Sequence, residues 1–173
     1  AGQYTVQVTY TDAQGYTAAL TSSAVSVAQV NNGNGSIGSI TGNGTLQEGV
    51  VLTAPGVTGD PDGDSKAPNY KYQWYLNGKA ISGATGSTYT TLKNGSGQYT
   101  VQVTYTDAQG YTAALTSNAV TVAQVNNGNG TIGSITGSGA LQEGVVLTAP
   151  GVSGDPDGDA SNPNYKYQWY LNG

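Results

Sequence analysis

Tyr99-Thr-Val-Gln-Val-Thr-Tyr105, running on through Thr106 into Asp107-Ala-Gln-Gly110, is the stretch that decides the fold. Tyr99, Val101, Val103 and Tyr105 share one face of an extended chain, and Thr100, Gln102 and Thr104 share the other. Strict period-two alternation predicts a half-buried strand. Asp107 to Gly110 reads as a turn, and Tyr111 to Leu115 begins the returning strand. Ala119 to Val122 continues it after a break at Ser117-Asn118, read as a bulge.

Upstream the same grammar recurs. Val50-Val51-Leu52 reads as a short buried strand. Tyr70, Tyr72 and Trp74 alternate with Lys71, Gln73 and Tyr75 on another. Asn77-Gly78 follows, the strongest two-residue hairpin signal, with Lys79 to Ile81 as the return. Thr88 to Leu92 is a further β-rich stretch, and Ile37 to Ile40 a weak first strand. No segment carries a 3.6-residue apolar period. Short strands punctuated by Gly, Pro and Asn predict an all-β chain folded as antiparallel β-sandwiches.

The chain also repeats itself. Residues 1–78 match residues 96–173 at an offset of 95, with ten of the 78 paired positions different. Most differences are small and polar; Lys66 against Ser161 is the charged one. A period of 95 is longer than a solenoid unit and has the size of one sandwich domain. Val30-Asn-Asn-Gly-Asn-Gly35 and its echo Val125-Asn-Asn-Gly-Asn-Gly130 have no side chains to bury and read as linkers. The expected division is residues 1–30 as the back part of one repeat, 31–125 as a complete repeat, and 126–173 as the front half of a third.

Composition narrows the functions. The 173 residues hold five Lys, no Arg and ten acids, for a net charge of −5, so no basic footprint for nucleic acid exists. No apolar run approaches the roughly 20 residues of a membrane-spanning helix, and membrane insertion is not expected. Cys and His are absent, which removes thiol nucleophiles, disulfides, imidazole bases and zinc sites of the usual kind. Charged residues are only 9% of the chain, yet the ten acids fall into five repeat-related pairs: Asp12/Asp107, Glu48/Glu143, Asp60/Asp155, Asp62/Asp157 and Asp64/Asp159.

Three carboxylates clustered in Asp60-Pro-Asp-Gly-Asp64 repel one another unless solvent or a cation offsets them. Oxygen ligands at i, i+2 and i+4, beside a glycine that allows a sharp turn, suit a hard cation such as Ca²⁺. This is not an EF-hand, because Lys71 stands where the bidentate Glu would be. The plain alternative is a set of solvated turn carboxylates.

Several motifs carry a family likeness. Trp74 in Tyr-Gln-Trp-Tyr sits where the immunoglobulin fold keeps its core Trp, and Gly97-Gln-Tyr99-Thr-Val101 looks like its tyrosine corner. Val101, and Val51 or Leu52, stand at the places of the antibody cysteines. Tyr72-Gln-Trp-Tyr, Asn77-Gly78, Ile81-Ser-Gly-Ala-Thr85, Ser87-Thr-Tyr89 and Val103-Thr-Tyr-Thr-Asp-Ala-Gln-Gly110 occur in order. Together they resemble the tandem Ig-like repeats of large bacterial surface and adhesin-type proteins, including those exported with RTX tails. The resemblance covers the whole chain and implies a secreted or cell-surface extender module, one of many in a row. No Gly-Gly-x-Gly-x-Asp calcium nonapeptide is present.

An Ig-like sandwich places Asp60, Asp62 and Asp64 in the B–C loop and Asp107 in the F–G loop, at one end. Glu48, in the A–B turn, lies at the other end, where a head-to-tail neighbour abuts. Glu48 is therefore expected to face Asp155, Asp157 and Asp159 of the next repeat, in a shared Ca²⁺ site. Expected partners are the neighbouring repeats, with head-to-tail contact between the half-repeats of different molecules. Tyr75, on the outward parity, is the candidate for stacking a sugar. The Asn-Gly-Ser/Thr triplets at Asn34, Asn43, Asn94 and Asn129 read as turns rather than glycan acceptors. The functional expectation is a non-catalytic structural module stiffened by Ca²⁺. The alternatives are a carbohydrate-binding module and a self-assembling matrix fibre.

Overall fold

A computed structural model describes residues 1–64, 70–158 and 165–172. Among these there is no helix; the chain is all-β, in several antiparallel sheets. Residues 1–30 carry β1 (Gly2–Tyr4), β2 (Gln7–Thr11), β3 (Thr17–Thr21) and β4 (Val25–Val27). Then come β5 (Ser36–Ile37), β6 (Thr41–Gly42), β7 (Val51–Thr53), β8 (Val57–Thr58), β9 (Lys71–Leu76), β10 (Lys79–Ala80) and β11 (Thr88–Thr90). They are followed by β12 (Gly97–Thr106), β13 (Thr112–Thr116) and β14 (Val120–Val122). The last four are β15 (Thr131–Ile132), β16 (Thr136–Gly137), β17 (Leu147–Thr148) and β18 (Val152–Ser153).

Contacts group the chain into two compact units. One holds Ala1–Ser36, Val57–Tyr70 and Tyr105–Ala113; the other holds Ile37–Gly56, Lys71–Thr104 and Ala114–Gly173. In the second unit the alternation read in the sequence appears as burial: Tyr99, Val101 and Val103 of β12 are enclosed, while Thr100, Gln102 and Thr104 are half-exposed. β12 pairs β9 in the register Tyr99↔Leu76, Val101↔Trp74 and Val103↔Tyr72, and pairs β14 through Gly97↔Val122 and Tyr99↔Val120. A second sheet runs β11-β7-β6. Trp74, fully buried, joins the two sheets: its ring centroid is 6.0 Å from Tyr89, which is 6.0 Å from Tyr99. Its indole N–H donates to Gly86 O at 2.9 Å, so burying it leaves no polar atom stranded. The Tyr99 hydroxyl donates back to Gly95 O at 2.5 Å.

The β9–β10 turn has the torsions the Asn-Gly pair predicts, with φ +50° at Asn77 and +79° at Gly78. The expected break falls between β13 and β14, at Ser117. Ser117 follows the last residue of β13; its N–H donates to Val101 O at 3.0 Å, and its Oγ accepts from Val101 N at 3.1 Å. A side chain thus stands in for a strand partner where the neighbour of β12 changes from β13 to β14.

In the first unit β1 pairs β4 in the register that β12 and β14 use, and β2 pairs β3. Tyr4, Val6, Val8 and Tyr10 are exposed there, although Tyr99, Val101, Val103 and Tyr105 are buried. The converse holds for residues 165–172. Their sequence matches Tyr70 to Asn77 residue for residue, yet they form no strand, and Trp169 is 46% exposed.

Candidate functional site

Three acids meet in the first unit. Asp60, Asp62 and Asp107 are all buried, and one carboxylate oxygen of each lies within 4.8 Å of the other two. Local turns aim them. After β8, Gly63 N donates to Asp60 O at 3.0 Å and Asp62 N donates to Asp60 Oδ1 at 2.9 Å. After β12, Asp107 Oδ1 accepts from Gln109 N at 2.8 Å and Tyr111 N at 2.9 Å. Ala108 N donates to Gly63 O at 3.1 Å and draws the two turns together. The approach needs glycine: Gly63 has φ +98°, and a Cβ there would sit 2.9 Å from Ala108 Cβ.

The third component is the stretch read as a linker, which is hydrogen-bonded to the acidic turn. Asn32 N donates to Asp62 Oδ2 at 2.6 Å, and Asn32 Nδ2 donates to Asp62 Oδ1 at 2.5 Å. Gly35 N donates to Asp60 Oδ2 at 3.0 Å and to the Tyr105 hydroxyl at 2.7 Å. A Cβ on Gly35 would lie 2.6 Å from Val57 Cγ1 and 3.0 Å from Thr58 O, so the backbone is seated against β8. Low complexity here reflects close approach and hydrogen bonding, as well as turn formation.

Tyr105 donates its hydroxyl to Asp60 Oδ2 at 2.6 Å. That bond, then the N–H groups of Asp62 and Gly35, holds the Asp60 carboxyl below its ordinary 3.8 against the opposing effect of burial. Burial, and then the bond to Asp60, raises the Tyr105 phenol. The cluster is thus arranged to keep Asp60 ionised. Oxygens within 4.8 Å of one another are close enough to share an ion bound at 2.3–2.6 Å. Three carboxylates supply part of the 6–8 oxygens Ca²⁺ takes, and carbonyls or water would supply the rest. Asp64 does not join them. It is exposed, and its Oδ1 accepts from Asp60 N at 2.9 Å, capping the turn.

The repeat-related acids lie in the second unit. Asp157 N donates to Asp155 Oδ1 at 2.9 Å, and Gly130 N donates to Asp155 Oδ2 at 3.1 Å. Asn127 N donates to Asp157 Oδ2 at 2.9 Å. Asn127 Nδ2 donates to Asp157 Oδ1 at 2.8 Å and also to Glu48 Oε2 at 3.0 Å. One amide therefore bridges a carboxylate of residues 31–125 to a carboxylate of the following repeat. Glu48 is held in place by its own backbone: its N–H donates to Ala123 O, and Ala123 N donates to Leu46 O. Glu48 is 8% exposed, and its buried Oε1 has no hydrogen-bond partner among the described residues. Asn94 Nδ2 adds a contact to Pro156 O at 2.9 Å.

Glu48 and Asp157, expected to share a cation, are linked here through the Asn127 amide, and among the described residues only Asp60, Asp62 and Asp107 bring three ligand oxygens within 4.8 Å. Asp159 lies outside the described residues. Sequence reasoning missed Asn32, Asn127, Gly35 and Tyr105. Their recurrence at the same place in both repeats was the available signal. Tyr75 is half-buried in the body of β9. Compared with protein-family models, curated proteins and solved structures, the chain matches none.

Proposed function

We propose that this chain is a non-catalytic extender: a stretch of tandem immunoglobulin-like β-sandwiches, secreted or displayed at a bacterial surface and stiffened by Ca²⁺. The observation that carries the reading is the clasp at Glu48, Asn127 and Asp157, where successive repeats are held side chain to side chain. A fixed junction makes a string of repeats a spacer rather than loose beads. The buried, unpartnered Glu48 Oε1 and the Asp60, Asp62 and Asp107 cluster support a cation role. The Trp74 packing and the Tyr99 bond back to Gly95 support the immunoglobulin likeness.

The test is a thermal melt of the chain in millimolar Ca²⁺ and in chelator, with scattering curves from the same samples. A site held at 100 times its Kd contributes about 2.7 kcal/mol. Expected are a higher melting temperature with Ca²⁺, a narrower distribution of lengths, and loss of most of the shift in Asp62→Asn. Identical melts and identical distributions would remove the cation from the proposal.

A further inference from the structure

We propose that Asn43 is a site of self-modification: the Gly44 backbone nitrogen attacks its side-chain amide and converts it to aspartate or isoaspartate, at a rate the fold sets above that of the other Asn-Gly pairs. This goes beyond the extender and Ca²⁺ readings and rests on neither.

Asn-Gly occurs eight times in the chain, and only Asn172-Gly173 extends outside the described residues. Glycine puts no side chain beside the attacking nitrogen, so the sequence alone leaves every pair open to ring closure. The fold blocks most of them. Gly33 N and Gly128 N donate to Asn31 Oδ1 and Asn126 Oδ1, each at 2.8 Å, and the Asn32 and Asn127 amides are held by Asp62 and Asp157. Gly35 N is shared between Asp60 Oδ2 and the Tyr105 hydroxyl, and Gly130 N donates to Asp155 Oδ2. Gly95 N donates to Leu92 O at 3.1 Å, while Asn94 Nδ2 donates to Pro156 O. Gly78 N has no partner among the described residues, but Asn77 Oδ1 accepts from Gln98 N at 2.9 Å, and a Cβ on Gly97 would lie 2.7 Å from that oxygen. The Asn77 amide is wedged against β12 and cannot turn onto its own backbone.

Asn43 differs on each count. Asn43 and Gly44 are exposed, and a Cβ on Gly44 would meet nothing within 4 Å. Gly44 N, the nucleophile, and Asn43 Nδ2, the leaving group, have no hydrogen-bond partner among the described residues. The bond that Asn43 Oδ1 does make assists the reaction: Val51 N donates to it at 3.0 Å. That N–H draws electron density from Cγ and stays on the oxygen as negative charge builds there. The step balances with water alone. Gly44 N bonds to Asn43 Cγ, the Cγ–Nδ2 bond breaks, and ammonia leaves with the Gly44 amide proton. Water then opens the succinimide, giving Asp at one carbonyl and isoaspartate at the other.

The product matters because of where it falls. Asn43 and Gly44 line one hollow with Glu48, whose buried Oε1 has no partner among the described residues. A carboxylate at 43 repels Glu48. Isoaspartate also lengthens the backbone where Asn43 N donates to Val51 O at 3.1 Å, the bond that continues the β6–β7 pairing. Both effects loosen the seat of the Glu48 clasp. Ser138 holds the equivalent place in the next repeat, with the same backbone bond to Val146 O at 3.1 Å and no amide to lose.

The experiment incubates the 173-residue chain in warm, mildly alkaline buffer with chelator, folded and in urea, and follows each Asn-Gly pair by chymotryptic peptide mass mapping. Each hydrogen bond that must open first lowers the reactive population roughly fivefold. Asn43 should therefore react about fivefold or more ahead of every other pair in the folded chain, and that lead should vanish in urea. Asn43→Ser, which installs the residue found at 138, should abolish early ammonia release. Asn43→Asp should speed proteolytic cleavage between residues 123 and 130, while Asn43→Ser leaves it at the wild-type rate. A blocked pair reacting as fast as Asn43, a lead that persists in urea, or a linker cleaved no faster in Asn43→Asp would each overturn the proposal.

Discussion

Ser117→Ala isolates one hydrogen bond in an enclosed place. Val101 is fully buried, and its N–H donates to Ser117 Oγ at 3.1 Å. Ser117 is itself buried, so water has no ready route to replace the lost oxygen. An orphaned buried N–H costs about 1–3 kcal/mol, and removing one oxygen leaves almost no cavity. At about 2 kcal/mol the melting temperature falls by roughly 8–16 °C for a domain of this size. The repeat supplies its own control. Ser22 Oγ accepts from Val6 N at 3.0 Å in the same geometry, but Val6 is 59% exposed. Water can replace that bond, and Ser22→Ala should cost less than about 0.5 kcal/mol. Urea titrations at low micromolar concentration, followed by tryptophan emission and far-ultraviolet dichroism, measure both. Equal costs at the two positions, or a Ser117→Ala cost under about 0.5 kcal/mol, would refute the argument that this hydroxyl completes the ladder of β12.

Gly35→Ala should destabilise by about 1–3 kcal/mol, because its new methyl meets Val57 and Thr58 O; Gly44→Ala, with nothing within 4 Å, should be near neutral in the same melts. Asp60, held below 3.8, contributes stability that is fully present above that pH and is lost as pH falls through its lowered value. Tyr105→Phe removes the main cause, so wild type and variant should differ most above pH 4 and converge toward pH 2, as acid unfolding curves will show; a constant difference across that range would contradict the assignment. Asn127→Leu cuts the bridge from Glu48 to Asp157, and limited proteolysis should then cleave between residues 123 and 130 markedly faster than in wild type.

The strand pattern was legible because burial and period agree at Tyr99, Val101 and Val103. The Asn77-Gly78 turn was legible because few other pairs accept its torsions. The acidic loops were conspicuous in a chain otherwise poor in charge. What escaped was polar and long-range. Tyr105 continues an apolar stripe, and nothing local says that its hydroxyl reaches a carboxylate 45 residues away. Asn32 sits among glycines that look like slack chain, although two of its nitrogens are committed to Asp62. Ser117 was legible as a break between β13 and β14, but not that its Oγ accepts from Val101 N there. Residues 165–172 are the plainest lesson. Their amino acids match those of β9 and their state does not, so strand formation there depends on a neighbour and only weakly on propensity.

The clasp between repeats has a consequence for how such a chain can vary. Glu48 lies in the same 95-residue unit as Asn32 and Asp62, and Glu143, Asn127 and Asp157 recur at the equivalent positions 95 residues on. Each unit therefore carries what it needs to follow any other and to be followed by any other. Units can be inserted or deleted whole without altering a single junction, much as links are added to a chain. In the proposed extender, length would change in steps of one unit while the junction stayed the same.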